Sequence, residues 1–329
     1  MNRRDTFFAL LALGAAPLAA QAQQAGKMRR IGVLLGYVET NLRVQSGLAA
    51  FKESLATLGW VEGRELAIDV RWTSGSVERA AEFAKELVAL KPDVILASTT
   101  PATAAIQRET RAIPVVFSIV SDPVGSGFVK SLANPGGNIT GLINLEASLA
   151  EKWLQLLKEI APRMTQVAVM FNPKTAPYAE YYLQPLRAAA PKLRVKATTA
   201  PVGSESDIER TISNLGRERT SGLILMTDSF MAVHDKSIIA LAARHKVPTM
   251  YWGTSQVEFG GLIGYGVDTV DLIRRAAPYV DRILRGTKPS ELPVQQPTTF
   301  ELAINLKAAT GLGLKIPQSL LIRADRVIE

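Results

Sequence analysis

Three hydroxyl residues in a row, Ser98, Thr99 and Thr100, close the apolar run Val94-Ile95-Leu96-Ala97, and Pro101 opens an alanine-rich stretch directly after them. Thr100 stands where a helix N-cap belongs, and Pro101 suits the first helical position. The free amides of that first turn, with the Ser98 and Thr99 hydroxyls, make a site for an anion such as a carboxylate. Capping the helix is the other use for the same hydroxyls.

A complementary charge would come from Asp228, which ends the segment "GLILMTD" at 222–228 just after Thr227. It is the first candidate to face an ammonium. Asp122 is the second, although it precedes Pro123 and reads readily as an N-cap; Asp268 has the same capping character. Aromatics are only 6% of the chain, yet Tyr37, Tyr178, Phe230, Tyr251 and Trp252 all fall just past apolar runs. Such rings would wall a flat solute, with Ser118, Ser121, Asn172 and Thr175 adding polar contacts; packing between loop and core is the alternative for each.

Catalytic chemistry is hard to place on this sequence. There is no Cys, and the two His, His234 and His245, lie too far apart for a helical metal pair. Neither a G-x-S-x-G elbow nor a phosphate-binding G-x-x-x-x-G-K-[ST] loop is present, and "GSGFVKS" at 125–131 lacks the third glycine of a dinucleotide fingerprint. No catalytic residue, metal or cofactor is expected. The formal charge of +8 comes from scattered Lys and Arg, with no basic run interleaved with aromatics, so a nucleic-acid partner is not expected either.

The elements that must position these residues alternate regularly. Continuous apolar runs suited to parallel strands occur at 31–35, 65–72, 93–98 and 114–118, with helices expected over 46–58, 77–90 and 101–110. The order then recurs, with strands at 166–172, 194–200, 222–228 and 247–253, a helix near 179–190, and a capping box at Ser206 to Glu209 opening another. Two copies of β-α-β-α-β-α-β predict an α/β protein of two doubly wound, parallel-sheet lobes whose strand carboxyl ends meet at one crevice. "NPGGNITGLIN" (134–144) and "GGLIGYGVD" (260–268) are the expected crossings, and tail segments added to each lobe in turn make a third. The expected first lobe is 28–140 with 266–294, and the second 144–262 with 295–329.

Residues 1–22 read as an export signal: Arg3-Arg4, an apolar stretch, then Ala20-Gln21-Ala22, with cleavage expected after Ala22. Both the general secretory and the twin-arginine routes are open. Loss of Arg3, Arg4 and Asp5 takes the charge from +8 to +7.

The sequence resembles the ABC-transporter substrate-binding proteins of the TrpX-like family. The resemblance rests on "RRIGVLLG", "FKESLATLGWVEGRELAIDVRW", "PDVILASTTPATAAIQRET", "IPVVFSIVSDPVGSGFVKSLANPGGNITG", "FNP", "YGVDTVDLIRRAAPYVDRILRG" and "FELAINLKAATGLGLKIPQSLLIRADRVIE". It implies the type I periplasmic-binding-protein fold, a small-molecule solute, often an amino acid, and a permease and ATPase in the inner membrane as partners. A periplasmic monomer that closes about its hinge is the expected form. An exported sensory module that presents its ligand to a membrane receptor is the alternative.

Overall fold

The computed structural model describes residues 28–329; the expected export signal lies outside the described residues. In the first lobe the chain forms β1 (Arg29–Leu35), α1 (Leu42–Thr57), β2 (Leu66–Trp72), α2 (Val77–Ala89), β3 (Val94–Ser98), α3 (Thr100–Glu109), β4 (Val115–Val120) and β5 (Ile139–Ile143). The second lobe contains α4 (Leu149–Ile160), β6 (Gln166–Phe171), α5 (Ala179–Ala189), β7 (Lys196–Pro201), α6 (Glu205–Gly216), β8 (Ser221–Leu225), α7 (Ser229–Val233), α8 (Asp235–Arg244), β9 (Thr249–Tyr251), α9 (Ser255–Glu258) and β10 (Ile263–Gly266). There follow α10 (Thr269–Arg274), α11 (Ala277–Leu284), β11 (Glu301–Asn305), α12 (Leu306–Gly311), α13 (Gln318–Arg323) and β12 (Arg326–Ile328).

The strands of the first lobe pair in the order β2-β1-β3-β4-β5, all parallel. Those of the second follow the same order, β7-β6-β8-β9-β10, and then add β11 and β12 at the edge. The two segments expected only as crossings therefore each contain the fifth strand of the lobe the chain is leaving. The second sheet is also not wholly parallel: β10 pairs antiparallel with β11, and β12 runs with β11.

The apolar strands are continuous because both of their faces are covered. In β1 and β3, Ile31, Val33, Leu35, Val94 and Leu96 pack with Phe51 and Leu55 of α1 and with Leu272 and Val280 of α10 and α11. Their neighbours Leu34, Ile95 and Ala97 point the other way, onto Ala84 and Leu87 of α2 and Ala105 and Ile106 of α3. Burial of each such Leu, Ile or Phe contributes ~1.5–3 kcal/mol relative to exposure. The second lobe repeats the plan with one core under α4 and α5 and another under α6 and α8.

Caps fix the helix starts, and two differ from the sequence expectation. The first helix begins at Leu42 rather than at Ser46, because the Asn41 side chain accepts from the Val44 amide at 3.1 Å. Leu42 is exposed, which breaks the apolar period that marks the rest of the helix. In α6 the cap is Ser204, not Ser206: its hydroxyl accepts from Asp207 N at 3.2 Å while the Asp207 carboxylate accepts from Gly203 N.

Three segments join the lobes. The chain leaves the first sheet after Ile143 and returns after Gly266, where α10 packs on α1. It crosses again after Gln295, which bridges Leu142 beside β5 before β11 enters the second sheet. Among the described residues no helix is long and apolar enough to cross a membrane.

Candidate ligand site between the lobes

The carboxyl ends of β1, β3 and β4 face those of β8 and β9 across the crevice, and a small, nearly closed cavity lies between them. Its first-lobe wall is Tyr37, Thr99, Thr100 and Ile119; its second-lobe wall is Tyr178, Thr227, Asp228, Ser229, Ala232 and Trp252. Of these, Ile119 and Ala232 lie outside the segments that the sequence places at the cleft.

Backbone strain marks the first-lobe wall. Thr99 has φ of +93° and Ile119 of +55°, left-handed values that a β-branched residue rarely adopts. Asp122, just beyond, has +43°. Beside it β5 approaches β4 closely: a side chain at Gly141 (φ +153°) would lie 2.1 Å from the Phe117 carbonyl oxygen. The pairing shifts register between Phe117 and Val120, so Ile119 is turned towards the cavity.

The hydroxyl row does not act as expected. The N-cap of α3 is Thr99, not Thr100, and its side chain makes no capping bond. Thr99 is buried and lines the cavity, and its Oγ1, which packs against Gly36, has no hydrogen-bond partner among the described residues. Thr100 is instead committed to the protein: its Oγ1 accepts from Ser121 N at 3.1 Å. Ser98 and Ser118 sit side by side in register behind the wall, both fully buried, both with unpartnered Oγ atoms, and neither reaches the cavity.

In the second lobe Asp228 is the N-cap of α7 and the only carboxylate in the wall. Its Oδ1 accepts from Phe230 N at 2.8 Å and from Thr175 Oγ1, and its Oδ2 from Asn172 N at 2.7 Å. Oδ2 thus keeps acceptor capacity for one further donor. Burial outweighs these bonds and pushes the Asp228 carboxyl up to about 6. Burial, then the Asp228 charge, also raises the Tyr37 phenol well above its usual range, which places these two groups within electrostatic reach across the lobes. The Tyr178 hydroxyl donates to the Thr227 carbonyl at 2.6 Å and so presents its ring to the cavity.

Three other candidates lie elsewhere. Asn172 spends its side chain in its own turn, accepting from Lys174 N at 2.8 Å. Asp122 accepts from Gly125 N at 2.8 Å and lines an outer groove with Thr100, Arg108 and Tyr178, outside the central cavity. Tyr251 is buried in the second-lobe core with Ile238, Ile239 and Val247, because β9 ends on an inward-facing position and Trp252 takes the cleft.

Two mainly parallel sheets that share a five-strand order, three crossings and an interlobe cavity define a two-lobed solute-binding protein of the type I periplasmic-binding-protein fold. Residues 39–328 match the family described as ABC transporter substrate binding protein. This chain belongs to that family, whose members bind solutes and are not enzymes. A tyrosine-binding protein of Clostridioides difficile (strain R20291) is 26% identical over 265 residues, 80% of this chain and 76% of its own. A Streptococcus pneumonia structure in complex with L-Trp is 26% identical, covers 92% of this chain and 100% of its own, and has a TM-score of 0.84. The ligand-free, open structure of a Clostridium difficile substrate-binding protein with adhesive properties is 25% identical, covers 91% and 99%, and has a TM-score of 0.66.

Proposed function

We propose that this chain captures an amino acid, most favourably an aromatic one, for an ABC importer, and that its lobes close over the solute. The observation that carries this is the make-up of one small cavity. On one side stand the unpartnered Thr99 hydroxyl and the start of α3, suited to a carboxylate; on the other stands Asp228, suited to an ammonium. The rings of Tyr37, Tyr178 and Trp252 occupy the remaining wall. The tyrosine and tryptophan named for two relatives support the same solute class.

Closure is supported by the two structural likenesses. The two solved structures differ by one point in identity and in coverage, yet the ligand-bound one superposes far better, 0.84 against 0.66. This favours reading the arrangement described here as the closed one. The moving bodies in this reading are 28–140 with 266–294 and 144–262 with 295–329, working as a monomer in the periplasm once residues 1–22 are removed. The closed form then docks on a permease and ATPase pair.

Thermal unfolding of residues 23–329 with L-tryptophan, L-tyrosine, their deaminated acids and other small carboxylates tests the reading. A solute at about a hundred times its dissociation constant adds roughly 2.7 kcal/mol. A shift confined to amino acids supports the assignment; a shift with the deaminated acids alone removes Asp228 from it. A chain that shifts with none of them, and whose genomic neighbours lack a permease, favours the sensory alternative.

A further inference from the structure

Behind the cavity a buried chain of hydrogen bonds runs from one lobe to the other through a crossing residue. Tyr182, on α5 of the second lobe, donates from its hydroxyl to Ser121 Oγ of the first lobe at 3.0 Å. Ser121 Oγ donates to Asn144 Oδ1 at 3.1 Å, and Asn144 Nδ2 donates to Thr227 Oγ1, in the second-lobe wall, at 3.1 Å. Ser121 N also donates to Thr100 Oγ1, in the first-lobe wall. Tyr182 and Ser121 are 1% exposed and Asn144 is 3% exposed, and none of the three lines the cavity.

We propose that Tyr182, Ser121 and Asn144 form a lock that holds the closed form, and that they set solute affinity without touching solute. This rests on the closure reading above. Each lobe holds its own part of the lock rigidly. The Tyr182 ring is fixed within the second lobe by Trp153 at 5.8 Å, Tyr178 at 6.1 Å and Tyr181 at 5.0 Å between ring centres. Ser121 is fixed within the first lobe through Thr100. Opening the cleft draws Tyr182 away from Ser121, leaving the Tyr182 hydroxyl only the Leu145 carbonyl of its own lobe at 3.3 Å, so the bond between the lobes contributes only when they meet. Its worth is that of a buried neutral hydrogen bond, roughly a fivefold change in the closing equilibrium. Asn144 lies on the first crossing, where one carboxamide can serve both sides: its Oδ1 also accepts from Leu145 N at 2.7 Å.

The test compares the mature chain with Tyr182→Phe, which keeps the ring, and with Asn144→Asp, which keeps the acceptor but loses the donor to Thr227. The chain has no native Cys, so spin labels on Lys85→Cys in α2 and Glu209→Cys in α6 report the distance between lobes without background. L-tryptophan and L-tyrosine are the probe solutes. The lock predicts a smaller closed fraction without solute in both variants. It also predicts solute dissociation about five times faster, with association unchanged. An unchanged distance distribution together with unchanged dissociation overturns it. Faster dissociation with an unchanged solute-free distance distribution also overturns it, since that is the mark of a lost solute contact. If the wild-type distance does not shorten with either solute, the function reading fails on its own; the lock then stands or falls on the solute-free closed fractions. Should Tyr182→Phe unfold early, Asn144→Asp carries the same comparison.

Discussion

Asp228 accepts the amide proton of Asn172 across 2.7 Å, so the one carboxylate in the cavity wall also ties together the ends of the neighbouring strands β6 and β8. Asp228→Asn keeps the shape but sets an amide group against the donors it had accepted. We expect a loss of about 1–3 kcal/mol in the stability of the solute-free chain, and a larger relative loss in binding amino acids than in binding their deaminated acids. Chemical denaturation and calorimetric titration separate the two effects.

The same carboxylate predicts a pH dependence. Its folded pKa is raised to about 6, as is that of Asp235, burial being the first cause in both. The native state therefore binds more protons than the unfolded chain between about 4 and 6. The stabilising contribution of these groups is full below about pH 4 and is lost as pH rises through 6. Melting temperatures of the solute-free chain across that window should show it, and Asp228→Asn should flatten its share. Amino-acid affinity should run the opposite way, strengthening as Asp228 ionises.

Thr99 and Thr100 should part company. Thr99→Ala removes a hydroxyl with no protein partner, so the solute-free chain should be no less stable, while carboxylate binding weakens about tenfold. Thr100→Ala strands the Ser121 amide and should cost about 1 kcal/mol of stability. Equal melting temperatures for both variants would contradict the assignment.

Trp252 is the only one of the chain's four tryptophans in the cavity wall. Binding of a non-fluorescent solute such as L-phenylalanine should change tryptophan emission in the wild type and leave it unchanged in Trp252→Phe.

At the flank of the cleft Arg43, on the first lobe, pairs with Glu258 of the second at 3.2 Å and with Asp268 at 3.3 Å, and Arg326 pairs with Glu258 as well. These groups are partly exposed, so Glu258→Gln should shift closure by less than about 1 kcal/mol, and the effect should fade at high salt. A distance measurement between labelled lobes at two ionic strengths reads this directly.

The repeated strand order could be read in the sequence because buried parallel strands need unbroken apolar runs, and those runs stand out at Ile31, Val94, Val167 and Leu223. The cleft position of Asp228 followed from the same repeat. Other features left no local trace. Thr99 and Ile119 adopt left-handed φ, which neither residue type announces. Tyr251 and Trp252 differ by one residue on a strand, and a single-residue shift decides which side chain faces the core. Ser206 and Ser204 both fit a capping pattern; only the position of Asp207 against Gly203 separates them. Tyr182 and Asn144 act through partners tens of residues away, beyond the reach of any spacing rule.

The passage of the backbone three times between the sheets has a practical consequence for handling the protein. A protease cutting one of those strands would leave the halves tethered by the other two, so a nicked sample would run as two fragments under denaturing conditions and as one particle under native ones. The same triple linkage means that neither half can be produced by simply shortening the gene, because each draws its last pieces from beyond the other.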